Sequence, residues 1–211
     1  NISDRGNSSG LTGVVLDETG ISGLGDSGSG NITYEASGSF GGGLNFGFGS
    51  GDDNITVIGA RPAAVTTLHM GAGNDSVEIR DESAVDDGLL VIFGEAGDDN
   101  LSGSTWNSDL ILLGDSGTAI YSGEKNSENL RSIATDNATS GGSDMLQGGS
   151  GNDVLLGGLG ADSLYGRGGN DFLSGDGGKV SYSGARTIFE TTNFFDGGDD
   201  RLDLSLIHIS E

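Results

Sequence analysis

Apolar residues recur along this chain as short pairs, two positions apart. Ile55 and Val57, Leu68 and Met70, and Val77 and Ile79 each alternate with polar neighbours. A period of two is that of a strand with one face turned inward. Leu89 to Phe93 and Leu110 to Leu113 read as further strands, and Val14-Val15-Leu16 as an early one. Ile32 and Tyr34 alternate as in a half-buried strand. One such coil cannot bury its own apolar side, but a stack of coils can. The pattern predicts an all-β solenoid with two short strands per coil, both parallel to those of neighbouring coils.

Glycine-rich turns separate the strands. They are most regular from Gly148 to Ser174, which reads GGSGNDVLL, GGLGADSLY, GRGGNDFLS. Glycine opens each unit (Gly148, Gly157, Gly166) and recurs at its fourth position (Gly151, Gly160, Gly169). Asp stands sixth (Asp153, Asp162, Asp171) and Leu eighth (Leu155, Leu164, Leu173). Glycine tolerates the positive φ that a sharp turn needs. With few side chains in the way, backbone carbonyls can converge, and the sixth-position carboxylate joins them. Such oxygen density suits a hard cation, Ca²⁺ first. Two units make one coil, so Asp144 should stack over Asp162 and Asp153 over Asp171.

Looser copies precede the block. Phe48 to Thr56, Met70 to Glu78 and Gly94 to Ser102 carry Asp53, Asp75 and Asp99 at the sixth position. Sixth positions fall at 30, 53, 75, 99, 119, 144 and 162, which reads as one column of turns, one per coil. Gly30 and Ala119 hold two of those places; Ala119 cannot ligate and should break the column. Looser turns are expected on the other side of each long coil, at Gly59 to Ala64, Arg80 to Gly88, Gly103 to Asp109 and Ser122 to Asn137. The polar interruption Glu124 to Asn137 reads as a surface loop, with one short helix as the alternative. Asp200 closes a last weak turn as a candidate ligand.

The nonapeptide resembles the G-G-x-G-x-D-x-U-x repeat of RTX, or haemolysin-type calcium-binding, proteins. Lys179-Val180-Ser181-Tyr182-Ser183-Gly184-Ala185 is similar to the stretch that often follows such a block, with Val180 at the sixth position. The resemblance implies a right-handed parallel β-roll or β-helix, with each ion held between turns of adjacent coils: two full ions at Asp144/Asp162 and Asp153/Asp171, and about two more at Asp53/Asp75 and Asp75/Asp99. It also implies a fragment of a secreted bacterial protein, exported unfolded through type I secretion machinery and folding in extracellular Ca²⁺. A polysaccharide or cell-surface partner would come through the parent protein. Alternatives are the stalk of a calcium-dependent adhesin, or the C-terminal module of a secreted protease, lipase or polysaccharide-modifying enzyme. The expected divisions are 1–46 as degenerate N-terminal coils, 47–140 as long-period coils and 141–178 as the regular calcium roll. Residues 179–203 are then a cap or flank, and 204–211 an adapter-derived tail.

Composition narrows the partners. Hydrophobic residues make up 33% of the chain, which fits a thin solenoid core. The net charge of -23 argues against nucleic acid, which needs clustered Lys and Arg. Metal-free, stacked carboxylates repel, so cation binding should be coupled to folding. There is no Cys, so calcium would stand where an extracellular fold often has disulfides. No apolar run reaches the length of a membrane span. No catalysis is expected of this segment. Gly25-Asp26-Ser27-Gly28 and Gly114-Asp115-Ser116-Gly117 look like serine-nucleophile segments but fall at turn positions. His69 and His208 stand apart and form no H-E-x-x-H zinc motif. His69 is expected to point outward beside Leu68 and Met70. Trp106 lies in a loop, either packed or free to stack on a sugar.

Overall fold

A computed structural model describes residues 2–25, 30–34, 40–82, 87–136, 141–183, 186–191 and 198–203. The chain is all-β among these residues, apart from one turn of 3-10 helix at Ser127–Asn129. Among the described residues no helix is long and apolar enough to cross a membrane. Residues 26–28, 184–185 and 204–211 lie outside the described part, and so do the predicted features that fall there.

Two parallel sheets form the solenoid. The first stacks Ile2–Ser3, Leu44–Gly47, Val65–Ala72, Leu89–Ala96, Leu110–Asp115, Val154–Leu156 and Phe172–Ser174 in that order. The second stacks Val14–Leu16, Asn54–Val57, Ser76–Ile79, Asn100–Ser102, Met145–Gln147, Ser163–Tyr165 and Arg201–Asp203. Register keeps like residues in line: Ile55 pairs with Val77, and Leu101 with both Val77 and Leu146. Alternation therefore sends Leu16, Val57, Ile79, Leu101, Leu146 and Leu164 into one continuous core, facing Phe46, Leu68, Ile92, Leu112 and Leu155. Burying each such side chain contributes about 1.5–3 kcal/mol.

Parallel pairing is not universal, and this corrects the expectation of two parallel strands in every coil. Gly20–Leu24 and Gly30–Thr33 add antiparallel strands beyond Val14–Leu16. Gly30 is thus a strand residue and not a turn ligand position. Ile32 in that strand is 38% exposed.

A larger correction concerns residues 114–136. Asp115 closes a first-sheet strand, and Gly117–Tyr121 pairs antiparallel with Leu130–Thr135. The predicted surface loop is therefore one arm of a hairpin. Gly178–Ser183 and Arg186–Thr191 extend it into a four-stranded antiparallel sheet. Val180 pairs with Ile133 there and is fully buried. This third sheet covers the outward face of the first. Leu130, Ile133 and Val180 form a second core with Val91, Phe93, Ile111, Leu113, Val154 and Leu156. Strands buried on both faces are apolar at every position, which is why Leu89 to Phe93 and Leu110 to Leu113 show no alternation.

Candidate metal centre

Each coil has two edges where the chain crosses between sheets. At one edge a first-sheet strand enters a glycine turn that ends on a buried Asp. Asp53, Asp75, Asp99, Asp144 and Asp162 stand there, each no more than 2% exposed. They form a ladder. The Asp53 N–H donates to Oδ1 of Asp75 at 2.7 Å, and that of Asp75 to Asp99 at 2.8 Å. Asp99 donates to Asp144 at 2.8 Å, Asp144 to Asp162 at 2.9 Å and Asp162 to Asp200 at 3.0 Å. Leu11 begins the series by donating to Oδ1 of Asp53 at 2.5 Å.

Ala119 does not interrupt this column, contrary to expectation. It lies on the hairpin opposite Ile133. The ladder steps from Asp99 to Asp144, 45 residues apart, and the whole hairpin is looped out between them. Asp200 joins the column across 38 residues.

The second oxygen of each carboxylate is the more informative one. Oδ2 of Asp53, Asp75, Asp99, Asp144 and Asp162 is buried without a hydrogen-bond partner. An orphaned acceptor of this kind is costly in a native interior. Carbonyl oxygens stand beside it. A Cβ added to Gly94, Gly114 or Gly157 would collide with Oδ2 of Asp99, Asp144 or Asp162 respectively. It would also crowd the carbonyl oxygen of Gly114, Gly157 or Gly175 on the next coil. First-position glycines thus leave a space bounded by a carboxylate and by carbonyls. The fourth-position glycines Gly73, Gly97, Gly160 and Gly169 hold φ between 103° and 132°, which a side chain would strain. Gly160 packs on the Gly142 carbonyl and Gly169 on that of Gly151, so coils approach at backbone contact.

Burial dominates the electrostatics. It pushes the Asp99 and Asp144 carboxyls up to about 8 and Asp162 to about 7. Asp75 rises to about 6 for the same reason, and Asp53 and Asp200 also rise. Neighbouring carboxylates of the ladder raise them further, while backbone N–H groups pull the other way. Oxygen acceptors in surplus, with no donor to match them, fit a hard cation. Among the described residues no three His, Asp or Glu side chains converge as a metal cluster. A site built from one carboxylate per coil and backbone carbonyls has no need of one.

The opposite edge is different. Asp153 donates its N–H to Oδ1 of Asp171 at 3.0 Å, so that predicted pair is adjacent. Gly148 lies against Oδ2 of Asp153 and the Gly166 carbonyl, and Gly166 against Oδ2 of Asp171. Yet both Asp153 oxygens already have partners, Leu110 N–H at 2.8 Å and Gly149 N–H at 2.7 Å. Burial still lifts the Asp153 carboxyl to about 6. In the coil before it, Trp106 fills the edge. The indole is fully buried, and the Trp106 carbonyl accepts from Ser150 N–H at 2.9 Å.

Two features escaped the sequence reading. The fifth repeat position forms its own exposed ladder: Asn74 N–H donates to Asp52 Oδ1, Asp98 N–H to Asn74 Oδ1 and Ser143 N–H to Asp98 Oδ1, at 2.8–3.0 Å. The run of Asn or Asp at that position in the sequence was its signal. Asp115, the second, is 2% exposed and accepts from Leu159 N–H at 2.6 Å. It ties the hairpin base to the turn of a later coil, and no repeat position marks it.

Comparison with known families gives one result. The family model of the RTX calcium-binding nonapeptide repeat matches residues 91–105 and 139–173, in four copies. No curated protein and no solved structure matches the chain. The chain carries RTX repeats, and such repeats imply Ca²⁺ binding.

Proposed function

We propose that this RTX-repeat chain is a calcium-binding solenoid module whose folding is coupled to extracellular Ca²⁺, and that it works as part of a larger secreted protein. The reading includes the right-handed roll that the repeat implies. One observation carries it: five buried Oδ2 atoms in register, each without a partner.

The ligands would be the paired carboxylates Asp53/Asp75, Asp75/Asp99, Asp99/Asp144 and Asp144/Asp162, with Asp162/Asp200 at the end. Carbonyls of Gly114, Gly157 and Gly175 contribute beside them. When bound, Ca²⁺ supplies positive charge to oxygens that have no donor. The chain does the rest. Each Oδ1 accepts the preceding coil's N–H, which fixes the carboxylate. At Asp99, Asp144 and Asp162 a glycine keeps the space beside Oδ2 open, whereas Phe48 and Met70 hold the first position in the turns of Asp53 and Asp75. Asp153/Asp171 would be a weaker site, because Asp153 is already satisfied by backbone N–H groups.

Before the cation arrives, the ladder holds acidic groups in a medium that disfavours their charge. A chain in low calcium therefore gains little by folding, whereas one in extracellular calcium is stabilised by mass action. Modules of that compartment bind at about 10⁻⁴–10⁻³ M. Equilibrium dialysis against Ca²⁺ tests the assignment. Asp144→Asn should bind fewer ions than the parent, and Asp153→Asn should lose less. Equal ion counts in the parent and Asp144→Asn would overturn it.

A further inference from the structure

The third sheet's cover of the first fades along the strand Val65–Ala72: Val65 is still buried in the second core, while His69 further along is only half-buried. There the outward face around Asn45, Gly47 and His69 is open. A cleft of about 630 Å³ lies there, and Ser3, Arg5, Asn45, His69 and Lys125 line it. A second section of about 310 Å³ continues past Arg5 to Glu95 and Ser116. We propose that this cleft binds an acidic oligosaccharide, with Arg5, His69 and Lys125 as the groups that receive its carboxylates and hydroxyls.

Charge is the first reason. The chain has nine Lys and Arg against 32 Asp and Glu, yet two of the nine and one of its two His share this cleft. Lys125 arrives from the hairpin loop. Its N–H donates to the Gly41 carbonyl at 2.8 Å, which anchors the loop over the first sheet. The ammonium donates to Asn45 Oδ1 at 3.0 Å and sits over the Tyr121 ring at 5.7 Å. One of its three N–H groups is used in that bond, and the others are free to meet a ligand.

Local sequence makes room for these side chains. A Cβ on Gly43 would stand 3.1 Å from Lys125 Cδ, and one on Gly47 2.8 Å from Arg5 Nε. Both cationic side chains thus lie flat across a strip of sheet that has been cleared of side chains. Arg5 donates to Glu95 Oε1 at 3.2 Å, which uses one of five guanidinium N–H groups. The pair is exposed on the Arg side, so it offers little resistance to a competing carboxylate.

His69 is held more firmly. Its ring stacks on Phe93 with centroids 4.8 Å apart, and Nδ1 lies 2.8 Å from Glu95 Oε1. That contact leaves Nε2 as the ring nitrogen available to a ligand. Glu95 itself takes the second repeat position at φ 77°, where Gly71 and Gly158 hold 106° and 119°. A non-glycine residue there is strained. The strain goes with the two contacts Glu95 makes to Arg5 and His69.

Chemistry and shape together select the ligand. Guanidinium and ammonium donors fit carboxylates, and Ser3, Asn45 and Ser116 offer hydrogen bonds for hydroxyls. Two cleft sections meeting at Arg5 suit an elongated molecule. A peptide strand is disfavoured because the lining strand Leu44–Gly47 has both edges paired, and the edge strand beside it, Ile2–Ser3, offers only two residues for strand addition.

Calorimetric titration in saturating Ca²⁺ tests this, with tri-galacturonate, neutral maltotriose, tri-glutamate and sulfate as probes. Binding of tri-galacturonate alone is expected, weakened about tenfold by Arg5→Gln and again by Lys125→Gln. Circular dichroism of both variants should match the parent, since the two side chains are at the surface. Equal binding of maltotriose would remove the acidic specificity. Equal binding of tri-glutamate or sulfate would make the cleft a general anion site and overturn the saccharide. Tri-galacturonate binding unchanged in both variants would place it at the calcium turns and overturn the site.

Discussion

The two edges of the solenoid solve one problem in two ways. Both must close a tight crossing between sheets without leaving polar groups stranded. The edge at Asp53 to Asp200 stacks carboxylates, and Oδ2 of Asp53, Asp75, Asp99, Asp144 and Asp162 is buried there with no protein partner. The edge at Trp106 and Asp153 closes with an indole in one coil and with a fully hydrogen-bonded carboxylate in the next. On the proposed reading a cation completes the first arrangement, whereas in the second Asp153 is satisfied by backbone N–H groups and the unpaired group is a donor, the Trp106 indole N–H. On that reading an Asp in the repeat motif does not by itself mark a strong ion site. What matters is whether backbone N–H groups have already taken both oxygens.

The largest expected effect comes from removing the cation. In chelator the Asp53–Asp200 edge should open and the β-signal collapse. Each site saturated at 100 times its dissociation constant contributes about 2.7 kcal/mol, and several are lost together. Next comes Trp106→Ala, which should cost about 3–5 kcal/mol through the cavity it leaves. A thermal melt in saturating Ca²⁺ would show that loss with the ion count unchanged. Asp144→Asn should do the reverse, lowering the melting temperature by weakening the two sites it shares, by about 2.7 kcal/mol for each ion lost at that saturation.

Metal-free pH dependence sharpens the contrast. Burial pushes the folded, metal-free carboxyls of Asp75, Asp162, Asp99 and Asp144 up from 3.8 to about 6, 7, 8 and 8, and raises Asp53 and Asp200 as well. A group raised on folding favours the folded state fully below its unfolded pKa, and that help is lost as pH rises through the folded value. In chelator, β-signal should thus return as pH falls from about 8 towards about 4. In excess Ca²⁺ the trend should reverse, because protons then compete for the ligands. The smallest effect belongs to the exposed ladder: Asn74→Ala removes one hydrogen bond between coils, about 1 kcal/mol in a melt.

How much of this the sequence disclosed depends on period. In Gly148 to Ser174 the spacing equals half a coil, so the alignment of Asp144 with Asp162 and Asp153 with Asp171 could be read directly. The hairpin hid itself because Ala119 fell at a spacing that a coil would also have, and because Leu130 and Ile133 are sparse in a polar stretch. A cue was present in the unbroken apolar runs at Leu89 to Phe93 and Leu110 to Leu113. Only strands covered on both faces have such runs, so a second layer was implied. The orphaned Oδ2 atoms and the satisfied Asp153 depend on atomic positions that no spacing encodes. The open cleft at His69 is likewise a matter of where the third sheet stops.

A Ca²⁺ titration followed by far-ultraviolet circular dichroism, started in chelator at neutral pH, addresses the central claim most directly. The account predicts a largely unstructured start and a cooperative rise of β-signal as calcium reaches the extracellular range. A full β-signal in chelator, unchanged by added Ca²⁺, would contradict it.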